Sequence, residues 1–282
     1  MKLIDSFCFI CGEVKPALIV YNKNSISIIR CCYCHTLSRP KEKHNMIEPV
    51  NNASEYYRES IRCVLGNRLF FRKTFEDLIK RFPFIENGNF LDFGCGIGNS
   101  LLEARQLGFT VFGIESSQWA IQHCNRYGLK VLTSLEDLNQ KDVKFDLINV
   151  NHALEHISDP VNFVNKLKEF LKERGILRIE VPDCGKFSIW RLMPKCKYAV
   201  NILKDDHIYY FSVDTLKNIL SKAQLEIIDM HTEGFSEYIR HKATMLNPNI
   251  FVRILSTFLK LTRIEEILNL KSFIVAEVRV KK

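Results

Sequence analysis

The chain has 282 residues, 46% of them hydrophobic, and a formal net charge of +8. That apolar fraction supports a real core and excludes a disordered chain, and the length fits one sizeable domain with a small module beside it. No apolar stretch is long enough to span a bilayer and Asp5 interrupts the start, so neither a membrane helix nor a signal peptide is expected, and a cytoplasmic location follows. Residues 1–185 carry 24 basic and 22 acidic side chains, and residues 186–282 carry 16 and 10. The excess sits in the last third, which favours an acidic partner there without making a nucleic-acid stripe.

Ten cysteines in a reducing compartment ask for a reading other than disulfides. Cys8-x-x-Cys11 and Cys31-x-x-Cys34 are separated by 19 residues, close to the spacing of a four-cysteine zinc site. Short strands at 17–21 and 25–30 flank the turn Asn22-Lys23-Asn24, so residues 1–40 read as a zinc ribbon. Cys32 and His35 lie near enough to stand in as ligands, and a set of buried reduced thiols is the alternative. Four thiolates leave no open position, so the expected metal is a structural Zn2+ held by Cys8, Cys11, Cys31 and Cys34.

Residues 36–54 are polar and punctuated by proline, which reads as a linker. Tyr56-Tyr57 opens a helical stretch to about Phe82, with Leu65, Leu69, Phe75, Leu78 and Ile79 near helical spacing. Linker and helix together take up 41–85.

The region 86–282 alternates strand and helix. Strands are expected at 90–94, 110–115, 129–132, 145–150, 175–181, 225–230 and 272–280, and helices near 98–107, 117–127, 160–172 and 213–223. Such alternation implies a Rossmann-like, doubly wound α/β fold with a mainly parallel seven-stranded sheet. Its first strand runs into Leu91-Asp92-Phe93-Gly94-Cys95-Gly96-Ile97-Gly98-Asn99 and then a helix, a turn whose glycines let a ligand approach the backbone. The second strand ends in Glu115, where doubly wound sheets place an acid for ribose hydroxyls.

A dinucleotide fingerprint would need glycine at Asn99. The G-x-G-x-G spacing, with Asp92 two residues ahead, instead resembles the signature of class I S-adenosylmethionine (SAM) methyltransferases, and motif order extends the resemblance over roughly 88–232. It implies an antiparallel last strand and SAM contacts from Asp92, Gly94, Cys95, Gly96, Gly98, Glu115 and Ser116, with Tyr57 as part of a lid. Asn151-His152-Ala153-Leu154-Glu155-His156 follows the fourth strand and resembles the stretch lining the methionine end and the acceptor, which implicates Asn151 and His152. His152-x-x-Glu155-His156 also matches a zincin pattern, but that needs one long helix, and Ser158-Asp159-Pro160 interrupts it.

Asp205-Asp206-His207 precedes Phe211-Ser212, which resembles related enzymes in placing a histidine and F-S just before a helix, and Ser212 reads as its N-cap. His156 and His207 are the candidate general bases, because imidazole titrates near neutrality; bracing a loop is the alternative role for each. Between the last two strands an insertion at about 236–270 carries an apolar face, Phe251, Ile254, Leu255, Phe258 and Leu261, beside basic residues. It is expected to pack on its own domain, with a homodimer contact or peripheral membrane docking through 250–268 as alternatives.

The tyrosine pair and ribbon resemble bacterial methyltransferases of glycans and secondary metabolites, so the expected acceptor is a small molecule or glycan, at a hydroxyl. An RNA methyltransferase gripping substrate with its ribbon is one alternative. It is disfavoured because residues 1–60 hold only 8 basic and 6 acidic side chains. A non-catalytic module is the other, against which the intact Asp92, glycines and Glu115 argue.

Overall fold

A computed structural model describes residues 2–23, 26–40, 57, 61, 64–139, 142–184, 207–234 and 271–281. Tyr56 and the 236–270 insertion, with the membrane and dimer contacts expected of it, lie outside the described residues.

The seven strands expected of the main sheet are β5 (Asn89–Phe93), β6 (Thr110–Ile114), β7 (Val131–Leu132), β8 (Phe145–Asn151), β9 (Leu171–Pro182), β11 (Leu225–Gly234) and β12 (Lys271–Val280). They lie in the order β11-β12-β9-β8-β5-β6-β7. Neighbours from β9 to β7 run parallel, while β12 is antiparallel to both β9 and β11. Winding leaves β5 toward β6 on one side and β8 toward β9 on the other. The crevice at the carboxyl ends of β5 and β8 is therefore the topological switch point, where sheets of this kind bind ligands.

Helices α1 (Val64–Arg81), α2 (Asn99–Gln106), α3 (Gln118–Arg126), α4 (Glu136–Asn139), α5 (Pro160–Phe170) and α6 (Val213–Lys222) accompany the strands. Their starts follow local chemistry. Ser117 accepts from the Ala120 N–H, Asp159 from Asn162 N–H ahead of Pro160 in the first turn, and Ser212 from Thr215 N–H, as its position implied.

Side chains alternate along the strands to fill both faces. Leu91, Ile148 and Leu177 join the core that includes Val164 of α5 and Leu216 of α6, while Phe90, Leu147 and Ile176 join the one that includes Phe75 and Leu78 of α1. On α1 the even helical spacing misleads. Leu65 and Leu69 are 71% and 51% exposed, because they lie around the helix from the face that carries Phe75 and Leu78.

The amino-terminal strands β1 (Leu3–Cys8), β2 (Glu13–Lys23), β3 (Ile26–Cys31) and β4 (Leu37–Ser38) form a second sheet. A fifth strand in it comes from far along the chain: β10 (Tyr209–Tyr210) pairs antiparallel with β4. Ile10 is buried in the main core, and Cys8, Phe9 and Cys34 pack against it. The amino-terminal sheet is thereby a wall of the larger body.

Candidate functional site

The turn after β5 has Gly94, Gly96 and Gly98 at φ 76°, 52° and 81°. Gly98 shows why glycine is needed. It caps α2 in the left-handed region, and a Cβ there would lie 2.6 Å from Leu129 Cδ1 and 3.0 Å from Cys124 Sγ. Glu115, at the end of β6, braces the turn from outside. Its Oε2 accepts from Gly96 N–H at 2.9 Å and its Oε1 from Ser117 N–H at 2.8 Å, with Ser116 Oγ at 3.4 Å.

A cavity of about 300 Å³ opens over this turn. Of the residues singled out in the sequence, Tyr57, Asp92, Gly94, Cys95, Gly96, Asn151 and His152 line it. Gly98, Glu115 and Ser116 border the turn without lining that cavity. Tyr57 lies over Gly96 and stacks on Trp119, with ring centroids 5.7 Å apart and planes 7° apart. Phe70, Phe71, Phe273, Glu180 and Glu233 complete much of the wall and were not foreseen. No sequence period marks Phe273 or Glu233, since they come from β12 and β11, distant in the chain.

Strand register creates the polar floor. Asp92, Asn149, Arg178 and Glu277 face one another across β5, β8, β9 and β12. Asn149 Nδ2 donates to Asp92 Oδ1 at 2.7 Å, Ser100 Oγ donates to Asp92 Oδ2, and Arg178 Nη1 donates to Asn149 Oδ1 at 3.1 Å. Arg178 also bonds to Glu180, and Glu277 pairs with Arg81 of α1. Burial raises the Asp92 carboxyl to about 6, against the pull of Ser100, Asn149 and Arg178. Burial works the same way on Glu180, but there the Arg178 charge and His152 win and hold it down at about 2.

His152 carries the floor toward the next cluster. It ends β8 at φ 52°, a conformation uncommon for a side chain with a Cβ, and its backbone N–H is bonded to Glu180 O at 2.9 Å. Its ring nitrogens lie 3.5 Å from Glu155 Oε1 and 3.5 Å from Glu180 Oε1, with 39% of the side chain open to the cavity. Burial opposes charge on the ring, but the two carboxylates outweigh it and raise its pKa.

Beyond Glu155, the rings of His156 and His207 sit with centroids 4.9 Å apart at 75°. A 3-10 turn, Leu154–His156, presents His156, and Ile208 N–H donates to Glu155 O at 2.9 Å, which fixes His207 beside it. The two histidines are adjacent to each other and to Glu155, and they lie outside the lining of the cavity.

In the amino-terminal sheet the four expected cysteines converge. Cys8 and Cys34 sulfurs are 3.5 Å apart and Cys11 and Cys31 sulfurs 3.8 Å apart. A tetrahedron of zinc–sulfur bonds of about 2.3 Å has edges of about 3.8 Å, so the set fits that metal. The cluster comprises these four and, among the described residues, neither Cys32 nor His35. The Cys8 hydrogen bond pulls the Cys34 thiol down against burial, and the same bond pushes Cys8 up.

Residues 67–230 match the family model described as a methyltransferase domain. The ubiquinone biosynthesis O-methyltransferase of Bartonella quintana (strain Toulouse) is 30% identical over 202 residues, 67% of this chain and 77% of that protein. The trans-aconitate 2-methyltransferase of Delftia acidovorans (strain DSM 14801 / SPH-1) is 28% identical over 124 residues, 42% of this chain and 46% of that one. In fold, the plantazolicin methyltransferase BamL, solved with a triazolic desmethylPZN analog and SAH, superposes with a TM-score of 0.54 at 18% identity, covering 86% of this chain and 98% of that chain. The glycine turn, the cavity over it with Asp92 in its lining, and Glu115 beside the turn fit an adenosyl cofactor that carries both hydroxyls and positive charge. The chain belongs to the methyltransferase-domain family and is a SAM-dependent methyltransferase.

Proposed function

We propose that the protein methylates a hydroxyl oxygen of a small polar acceptor, sugars included, and that its ribbon holds one structural zinc. The reading is carried by the placement of His156 and His207 beside Glu155, one step along the polar floor from the cavity. It is supported by relatives that are named O-methyltransferases. Bound over the glycine turn, SAM supplies an electrophilic methyl on a sulfonium sulfur. In this reading Tyr57 and the glycine turn hold the adenosyl part, Glu115 takes up its ribose hydroxyls, and Asp92 with Asn151 and His152 faces the aminoacyl end. One imidazole of the His156–His207 pair accepts the hydroxyl proton as the oxygen–carbon bond forms and the sulfur–carbon bond breaks. Positioning and exclusion of water are the remaining contributions of the chain, and the aromatic rings of Phe70, Phe71 and Phe273 suit the second of these.

The test is a panel of phenolic, sugar and carboxylic acid acceptors with isotopically labelled SAM, with products located by mass spectrometry and NMR. Methyl on a hydroxyl oxygen is expected. Label found on nitrogen, carbon or a carboxylate overturns the hydroxyl reading, and transfer to phenols but never to sugars removes the sugar part of it.

A further inference from the structure

We propose that Glu155, His156 and His207 form a second metal site, separate from the four cysteines, for a divalent transition-metal ion of the zinc, cobalt or iron(II) kind. One ligand atom from each lies within 4.8 Å of the others. Glu155 is 1% exposed, and its Oε2 has no hydrogen-bond partner among the described residues. Its other oxygen already faces His152 at 3.5 Å. A buried carboxylate oxygen left unsatisfied is costly, and a cation bound between it and two imidazoles removes that cost.

The backbone holds the three ligands in place before any ion arrives. Glu155 and His156 share the turn Leu154–His156, with His156 N–H on Ala153 O at 3.1 Å. His207 is fixed through its neighbour Ile208, whose N–H bonds Glu155 O and whose carbonyl accepts from Arg39 N–H at 2.8 Å. Ligand atoms in a tetrahedral shell with bonds of about 2.1 Å stand about 3.4 Å apart, so ring and carboxylate rotations of about 1 Å complete the geometry. The donor set selects the ion. Two imidazoles and one carboxylate suit zinc, cobalt and iron(II), whereas magnesium and calcium favour all-oxygen shells. Three protein ligands also leave a position open, unlike the closed sulfur shell of the ribbon.

The function of that open position rests on the hydroxyl reading above. An acceptor oxygen bound there has its pKa lowered by the metal. Its O–H bond then breaks with the proton passing to bulk water. The oxygen keeps the electron pair, ready to attack the methyl, and the imidazoles serve as ligands. In the metal-free protein a ring nitrogen takes the proton instead.

The experiment titrates cobalt(II) into full-length protein whose cysteine site has been left zinc-loaded, with neither cofactor nor acceptor present, and reads visible d–d absorption and calorimetry. One added equivalent is expected, with nitrogen–oxygen bands and no intense sulfur charge-transfer band. Glu155→Gln, His156→Ala and His207→Ala are each expected to weaken it about 100-fold, the scale at which even supporting residues of metal sites act. Cys32→Ser, outside the sulfur cluster, should leave the band in place. Absence of the extra equivalent in the unmodified protein overturns the proposal whatever the variants do, and so does binding that all three substitutions leave unchanged. Because binding is read without acceptor, a failure here stands apart from a failure of the acceptor panel.

Discussion

Arg178 donates to Asn149 Oδ1 at 3.1 Å, and this one bond joins Asp92 at the cofactor cavity to Glu180 and His152. Arg178 is 2% exposed and Asn149 fully buried, so neither group has water to fall back on. Replacing Arg178 with methionine strips Glu180 of its buried guanidinium and leaves it only His152 at 3.5 Å. A loss of about 3–5 kcal/mol in urea unfolding is expected, as for other broken buried pairs, and Arg178→Lys should recover only part of it because one ammonium cannot span both partners. Wild-type stability in the methionine variant would mean that the network contributes nothing to the fold.

Asp92 gives cofactor binding a pH limit. Its carboxyl is raised from 3.8 to about 6, so the folded state binds a proton more tightly than the unfolded chain. The cost of burying its charge is therefore present above pH 6 and is relieved as pH falls toward 4. Affinity for a cationic cofactor should move the other way, declining as pH drops through about 6. Glu180, lowered to about 2, keeps its charge throughout that window. Calorimetry of SAM binding between pH 5 and 8 checks this, and Asp92→Asn should flatten the profile at reduced affinity; an unchanged slope in that variant assigns the titration elsewhere.

Glu115→Ala should weaken SAM binding by about 2 kcal/mol, the scale of a lost charged hydrogen-bond acceptor. The variant also strips the bond from Gly96 N–H, so hydrogen exchange of the glycine turn should quicken even without cofactor. Weaker binding with unchanged exchange would point to ribose contact alone, and unchanged affinity would remove Glu115 from the site.

Paired Cys8→Ser and Cys11→Ser changes should remove one equivalent of zinc as read by elemental analysis. The effect should travel. β4 carries the ladder to β10, next to His207, so loosening the cysteine cluster is expected to lower methyl transfer while SAM affinity holds. Zinc retained in the double variant defeats the ligand assignment.

Much of the fold was legible because its signals are local. The strand, glycine turn and helix around Asp92 lie within a dozen residues, Ser212 caps its own helix, and the cysteine pairs announce themselves by spacing. Asn149, Arg178 and Glu180 escaped notice for the opposite reason. Each is one polar residue in an apolar strand, and it gains a partner only when the register sets β5, β8 and β9 side by side. β10 is two residues long, too short for any period to mark, so its addition to the amino-terminal sheet was invisible. Leu65 and Leu69 misled because helical spacing reports a face and says nothing of which face turns inward.

The strand order also bears on how the chain is made. β12 lies between β9 and β11 yet is synthesised after both. Until it is made, β9 and β11 both lack the strand that lies between them among the described residues. The central parallel strands, glycine turn included, can assemble early. The far side of the cavity, where Phe273 and Glu233 stand, is complete only when β12 joins β9 to β11. Mutations that weaken β12 should therefore lower the yield of folded protein more than they lower the activity of the molecules that fold.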